Sequence, residues 1–193
     1  MAHIGDRYRR RAQAFEEKVA RVGAGDWGNQ SPCVKWTARD VVDHVIAMHG
    51  YMLGPVGRSF GNDDDPLTTF RAARKAVEEV LDNPELAAQE VDTPAGRMTA
   101  EAQIDQVVSD DLVLHGWDLA RATGQDETID PADVERLWRS TTAIPAEMMT
   151  LYRTPGAFGP DVEVFGPEIP VPADAPLQDR LLGFIGRDPS VRR

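Results

Sequence analysis

Apolar positions recur along this chain at helical rather than strand spacing. Ile4, Tyr8, Phe15, Val19 and Val22 fall near one face of a predicted helix over 4–22, which Gly23 and Gly25 end. Val41, Val42, Val45, Ile46 and Met48 mark a second helix over 38–53, closed by Gly54 and Pro55. Thr37 and Asp40 in front of it read as a capping box, with Asp in place of the usual Glu. Asp65 caps and Pro66 opens a third helix to about 81, whose buried candidates are Phe70, Val77, Val80 and Leu81. Thr99 caps a long fourth helix carrying Ile104, Val107, Val108, Leu112, Leu119 and Ala122, ending at Gly124. Asp130 and Pro131 start a fifth, to about 151, which Pro145 should kink or interrupt.

Between the third and fourth helices lies only a polar stretch with Pro84, Pro94 and Gly96. Around Gly166 and Pro167, the segment 161–171 has two short apolar runs, the mark of a small hairpin or extended arm, and a last short helix is expected over 177–185. The pattern predicts an all-α bundle over 1–155, with a C-terminal arm and short helix over 156–193 packed on it, a single domain overall.

A length of 193 residues suits that reading, and 41% hydrophobic with 27% charged residues marks a globular chain. No apolar run approaches the roughly 18 to 20 residues of a membrane span, and the N-terminal MAHIGDRYRRR lacks the apolar core of a signal peptide. The expected compartment is the cytoplasm, with no membrane partner. Cys33 is the only cysteine, so no internal disulfide can form, and a lone thiol fits a reducing environment. A net charge of −11 argues against a nucleic-acid partner, because phosphates need a basic surface. The 21 basic residues include only three lysines, Lys18, Lys35 and Lys75, a bias suggestive of a GC-rich bacterial source. The run Arg7, Arg9, Arg10 and Arg11 is expected on the solvated side of the first helix, with docking of an anion as the sharper alternative.

Of the four histidines, His3 sits at a terminus expected to fray, which leaves His44, His49 and His115 for the candidate chemistry. HExxH, Walker A, GxSxG, GxGxxG and zinc-finger spacings are all absent. In SDDLVLHGWDLA, Asp111 and His115 stand four apart, so one helical face presents both. His44 lies in the apolar setting VVDHVIAM of the second helix. A lone histidine on an apolar face is ordinarily a satisfied core residue. Two imidazoles and a carboxylate on two bundle helices instead make a three-ligand set that leaves coordination positions open, as catalytic sites do. His49 falls about 140° around the helix from His44 and should point elsewhere. Asp110 replaces Asp111 if the register slips by one. Asp118 either hydrogen-bonds a ligand imidazole from behind or sits at the surface. Trp36 and Trp117 either pack in the core or line the pocket, and Cys33 is a bystander or a fourth ligand.

SPCVKWTARDVVDHV and, far downstream, DLVLHGWDLARATG resemble the metal-binding domain of mycothiol-dependent maleylpyruvate isomerases, in the DinB-like superfamily. DAPLQDRLLGFIGRDP resembles an actinobacterial branch of those proteins. The resemblance implies an up-and-down four-helix bundle with extra C-terminal helices and a short extended arm. It implies a divalent metal at His44, Asp111 and His115, although the isomerase has Glu where this chain has Asp111. The metal expected is zinc or nickel, because two imidazoles favour borderline ions. It further implies mycothiol as cosubstrate, a small electrophile as substrate, and S-transfer or thiol-assisted isomerisation as the reaction. The superfamily also implies a homodimer. No length remains for the isomerase's extra C-terminal domain, which moves the expectation from that one reaction to thiol chemistry more broadly. The competing reading is a non-catalytic metal or small-ligand binding protein. A hydrolase using metal-bound water would need a general base that the sequence does not identify.

Overall fold

Helix starts fall where the chain supplies a capping oxygen. In the computed structural model, which describes residues 3–93, 96–157 and 164–190, the first long helices are α1 (Ile4–Ala20), α2 (Ala38–Leu53) and α3 (Pro66–Leu81). Thr37 and Asp40 form the expected reciprocal box: Thr37 Oγ1 accepts from Asp40 N at 3.3 Å, and Asp40 Oδ2 accepts from Thr37 N at 2.8 Å. Asp65 accepts from Thr68 N at 2.9 Å ahead of Pro66.

The expected fourth helix is broken. It forms α5 (Ala100–Gln106) and α6 (Val108–Thr123), separated by Val107 at φ −107°, ψ −78°. Polar anchors from α1 stand on both sides of the break. Arg7 makes a two-pronged bond to Asp105, at 2.8 and 2.6 Å. Arg11 donates to Ser109 O, Ser109 Oγ and Asp110 Oδ1 at 3.1, 2.9 and 2.8 Å. This corrects the expectation of a solvated arginine face. Arg11 is 2% exposed, and Arg9 pairs with Asp82 at the C-terminal cap of α3. A buried guanidinium is tolerable because carboxylate and carbonyl oxygens receive its protons.

Two further elements precede α5. The short helix α4 (Pro84–Ala87) is followed by an antiparallel hairpin of β1 (Glu90–Thr93) and β2 (Gly96–Thr99), which the polar stretch did not announce. Among the described residues of the hairpin, Val91 is the one buried anchor.

The chain divides into two compact units, Met1–Glu127 and Thr128–Arg193. In the first, α1 packs against α3 and α6, and α2 packs against the same two, so α1 and α2 are diagonal. Partners fix the directions. Arg7, Arg11 and Lys18 meet Asp105, Asp110 and Asp126 in rising order, so α1 and α6 run parallel. Arg9, Gln13 and Glu16 meet Asp82, Arg74 and Arg71, so α3 runs against α1. Cys33 meets Asp118 and His44 meets Asp111, so α2 runs against α6. Two helices thus run up and two down around a core that includes Phe15, Val45, Leu53, Phe70, Val77, Ile104, Leu112 and Leu119.

The second unit holds α7 (Pro131–Thr142), α8 (Ala146–Tyr152) and α9 (Leu177–Phe184). Residues 143–145, ending in Pro145, interrupt the fifth helix as expected. Trp138 packs edge-on to Phe184 at 5.9 Å, and the Arg180 guanidinium lies over the Trp138 ring at 4.8 Å. The beginning of the expected arm, 161–163, lies outside the described residues. Residues 164–171 form no strand, but Gly166 N and Ile169 N donate to Ile185 O and Gly183 O at 3.2 and 2.9 Å. A Cβ on Gly183 would meet Val171 Cγ2 and would stand 2.6 Å from Ile169 O, so this approach needs glycine.

Candidate metal centre

The seam between α2 and α6 gathers the three candidate ligands. His44 comes from the second turn of α2, Asp111 from the first turn of α6 and His115 from one turn on. One donor atom from each lies within 4.8 Å of the others. His44 Nε2 and Asp111 Oδ2 are 3.7 Å apart, too far for a hydrogen bond. Among the described residues neither has a nearer polar partner. Exposure falls inward across the set: 29% for the His44 side chain, 25% for Asp111 and 9% for His115. A rim of two half-buried groups over a nearly buried imidazole leaves one side open to solvent.

Contacts from α1 separate the two acids. Asp110 is drawn to Arg11, which leaves Asp111 to face His44. Behind His115, Asp118 Oδ2 lies 2.9 Å from Nδ1 and its residue is fully buried. A carboxylate there holds the proton on Nδ1 and turns the Nε2 lone pair outward, the arrangement that orients ligand histidines. Donor type and spacing therefore fit a borderline divalent cation, with His44, Asp111 and His115 as the residues that would hold it.

The connection 21–37 supplies the wall. Trp36 lies with its ring centroid 4.6 Å from that of His44 and 5.6 Å from that of His115. Gln30 organises this turn: its amide nitrogen stands 3.1, 3.0, 3.1 and 2.9 Å from the carbonyl oxygens of Ser31, Cys33, Val34 and Trp36. Two amide protons are shared among four acceptors, which pins the carbonyls inward and the Trp36 ring over the seam. Cys33 Sγ donates to Asp118 Oδ2 at 3.5 Å, a contact across 85 residues that sequence spacing does not reveal. Trp117 is not brought to this group. It sits two residues beyond His115, about 200° around the helix, with Arg121 over its ring at 4.4 Å.

The family model for the mycothiol maleylpyruvate isomerase N-terminal domain matches residues 8–120, more than half of the chain and every side chain of this seam. The chain belongs to that family. At the level of the family, the mycothiol maleylpyruvate isomerase N-terminal domain brings a mycothiol-related isomerase domain and metal binding. Two uncharacterised proteins of Mycobacterium tuberculosis, from strains CDC 1551 / Oshkosh and ATCC 25618 / H37Rv, are each 29% identical over 188 residues. Those matches cover 93% of this chain and 95% of each relative. No solved structure matches significantly.

Within this mycothiol isomerase-type domain, His49 is separate from the seam, as its helical position predicts. It is fully buried, with Nδ1 2.7 Å from Val45 O and Nε2 2.9 Å from Tyr8 OH. A carbonyl only accepts, so Nδ1 carries the proton and Nε2 receives that of the tyrosine. Burial pushes His49 down to about 4, and it pushes the Tyr8 hydroxyl well above its ordinary value. The pair is a neutral core link between α1 and α2. No described helix is long and apolar enough to cross a membrane.

Proposed function

We propose that this chain holds a divalent cation, zinc or nickel, between His44, Asp111 and His115, and serves a mycothiol-dependent S-transfer or isomerisation of a small electrophile. The observation that carries the reading is the convergence of three donor atoms within 4.8 Å on a half-open seam, with His115 oriented from behind by Asp118. A cation held there supplies a Lewis acid that favours the thiolate form of an incoming thiol.

The chain's own groups do the rest. Asp118 keeps the proton on His115 Nδ1 and leaves Nε2 as the donor. The exposed edges of His44 and Asp111 leave room for a thiol to enter beside them. Trp36 closes one side with an apolar ring, excluding water from part of the approach. Cys33 is a poor nucleophile in this role, because its thiol already donates to Asp118 and a thiolate there would face that carboxylate at 3.5 Å. An external thiol is therefore the economical nucleophile, and the family suggests mycothiol.

The test is turnover of a panel of electrophiles by metal-loaded protein, with and without mycothiol, glutathione or cysteine. Cys33→Ser is expected to keep thiol-dependent activity and His115→Ala to lose it. Activity that needs Cys33 and no added thiol would overturn the proposal.

A further inference from the structure

His115 presents a second nitrogen, and the groups on that side form a ligand set of their own. Cys33 Sγ, a nitrogen of His115 and a carboxylate oxygen of Asp118 also lie within 4.8 Å of one another. Asp118 Oδ2 is 2.9 Å from His115 Nδ1 and 3.5 Å from Cys33 Sγ. We propose that these three groups form a second cation position on the inner side of His115, selective for thiophilic divalent ions and exclusive with the outer one.

Spacing supports it. Around a tetrahedral ion with bonds of about 2.0–2.1 Å to nitrogen and oxygen and about 2.3 Å to sulfur, neighbouring donors stand about 3.3–3.6 Å apart. The sulfur is already at that span from Asp118. The imidazole lies inside it by about half an ångström and needs only to draw back slightly. Charge supports it as well: a thiolate and a carboxylate together balance one divalent ion in a place where Asp118 is 0% exposed. The donors differ from those of the rim. One sulfur, one nitrogen and one oxygen favour zinc or cadmium, whereas two nitrogens and an oxygen also suit nickel. Two of the inner donors, on His115 and Asp118, are buried and only Cys33 is half-buried, whereas two of the outer donors are half-buried.

Protons make the two positions rivals. A neutral imidazole has one lone pair. An ion entering the inner position displaces the Cys33 thiol proton to solvent as the metal–sulfur bond forms. The proton on His115 Nδ1 moves, through solvent, to Nε2. That removes the lone pair the outer position needs. Rivalry rests on the outer reading given above, but the inner position does not.

Cadmium titration of the full-length protein tests this, read by the ultraviolet sulfur-to-cadmium charge-transfer band. One thiolate per ion is expected, with intensity per protein unchanged on dilution. Cys33→Ser should abolish the band. The double variant His44→Ala/Asp111→Asn, checked for native circular dichroism, should keep it while losing nickel binding. Excess nickel should bleach the band in wild type and not in that double variant. A folded wild type with no band, or a band that persists in Cys33→Ser, would overturn the inner position. Loss of the band in the folded double variant would overturn it too, by placing the thiolate on the outer ion. A band that nickel leaves untouched would overturn exclusivity. Nickel binding that survives the double variant would count instead against the outer reading, so the two failures are distinguishable.

Discussion

The buried Tyr8–His49 pair makes stability depend on pH with a definite sign. His49 titrates at about 4 in the fold against 6.5 in an unfolded chain, chiefly because burial penalises its cation. Between those values the unfolded state binds a proton that the folded state refuses. Stability therefore falls as pH drops, by about 1.4 kcal/mol per pH unit inside the window and not at all above it. Between pH 7.5 and 4.5 the loss from this one residue is about 2.5 kcal/mol, a large part of an ordinary domain's stability. Carboxylates titrate over part of the same range, so the comparison must cancel them. The variant Tyr8→Phe/His49→Leu keeps similar volume and removes both polar groups, leaving no buried hydroxyl or ring nitrogen orphaned. Urea unfolding of both proteins at pH 7.5, 6.5, 5.5 and 4.5, without metal, gives the difference directly. The wild type should lose about 2.5 kcal/mol more than the variant across that span. Parallel curves for the two proteins would refute the assignment of a neutral, buried His49.

Three further outcomes concern the seam. His44→Ala, Asp111→Ala and His115→Ala should each lose stoichiometric zinc or nickel by elemental analysis, while Asp110→Ala should retain it because Arg11 engages that carboxylate. Asp118→Asn replaces the carboxylate behind His115 Nδ1 with a neutral amide and should weaken nickel about 10- to 100-fold by competition with a chelator; unchanged affinity would mean the carboxylate's charge contributes nothing to the ligand. Gln30→Glu sets a carboxylate oxygen against four carbonyls and should release the turn, shifting Trp36 fluorescence and weakening metal by about tenfold, whereas Gln30→Lys should restore both.

How much could be read beforehand follows from how local each signal is. The ends of α2 and α3 were legible because Thr37, Asp40, Asp65 and Pro66 act within one turn. His44, Asp111 and His115 stood out because helical spacing and apolar neighbours put polar groups where they need partners. The break at Val107 was not legible, since Arg7 and Arg11 reach across from a helix about 98 residues earlier. For the same reason the arginine run looked solvated: apart from Asp6, the acids that receive it, Asp82, Asp105 and Asp110, lie 73 or more residues away. The strands Glu90–Thr93 and Gly96–Thr99 offer one buried residue among them, too weak a pattern to be read among prolines. The Cys33–Asp118 contact depends wholly on tertiary folding.

The diagonal placement of α1 and α2 gives their connection an unusual burden. Consecutive helices that pack side by side can be joined by a few residues, and such loops tolerate insertion and deletion readily. Residues 21–37 must instead cross the end of the bundle, where Asn29 Nδ2 donates to Ala122 O at 3.0 Å on the way. Their length is thus set by the width of a four-helix cross-section. A deletion between Gly23 and Gln30 would be felt at the far end of the span, dragging Trp36 from the imidazoles before it strained either helix. Across relatives, this connection should vary in composition far more than in length.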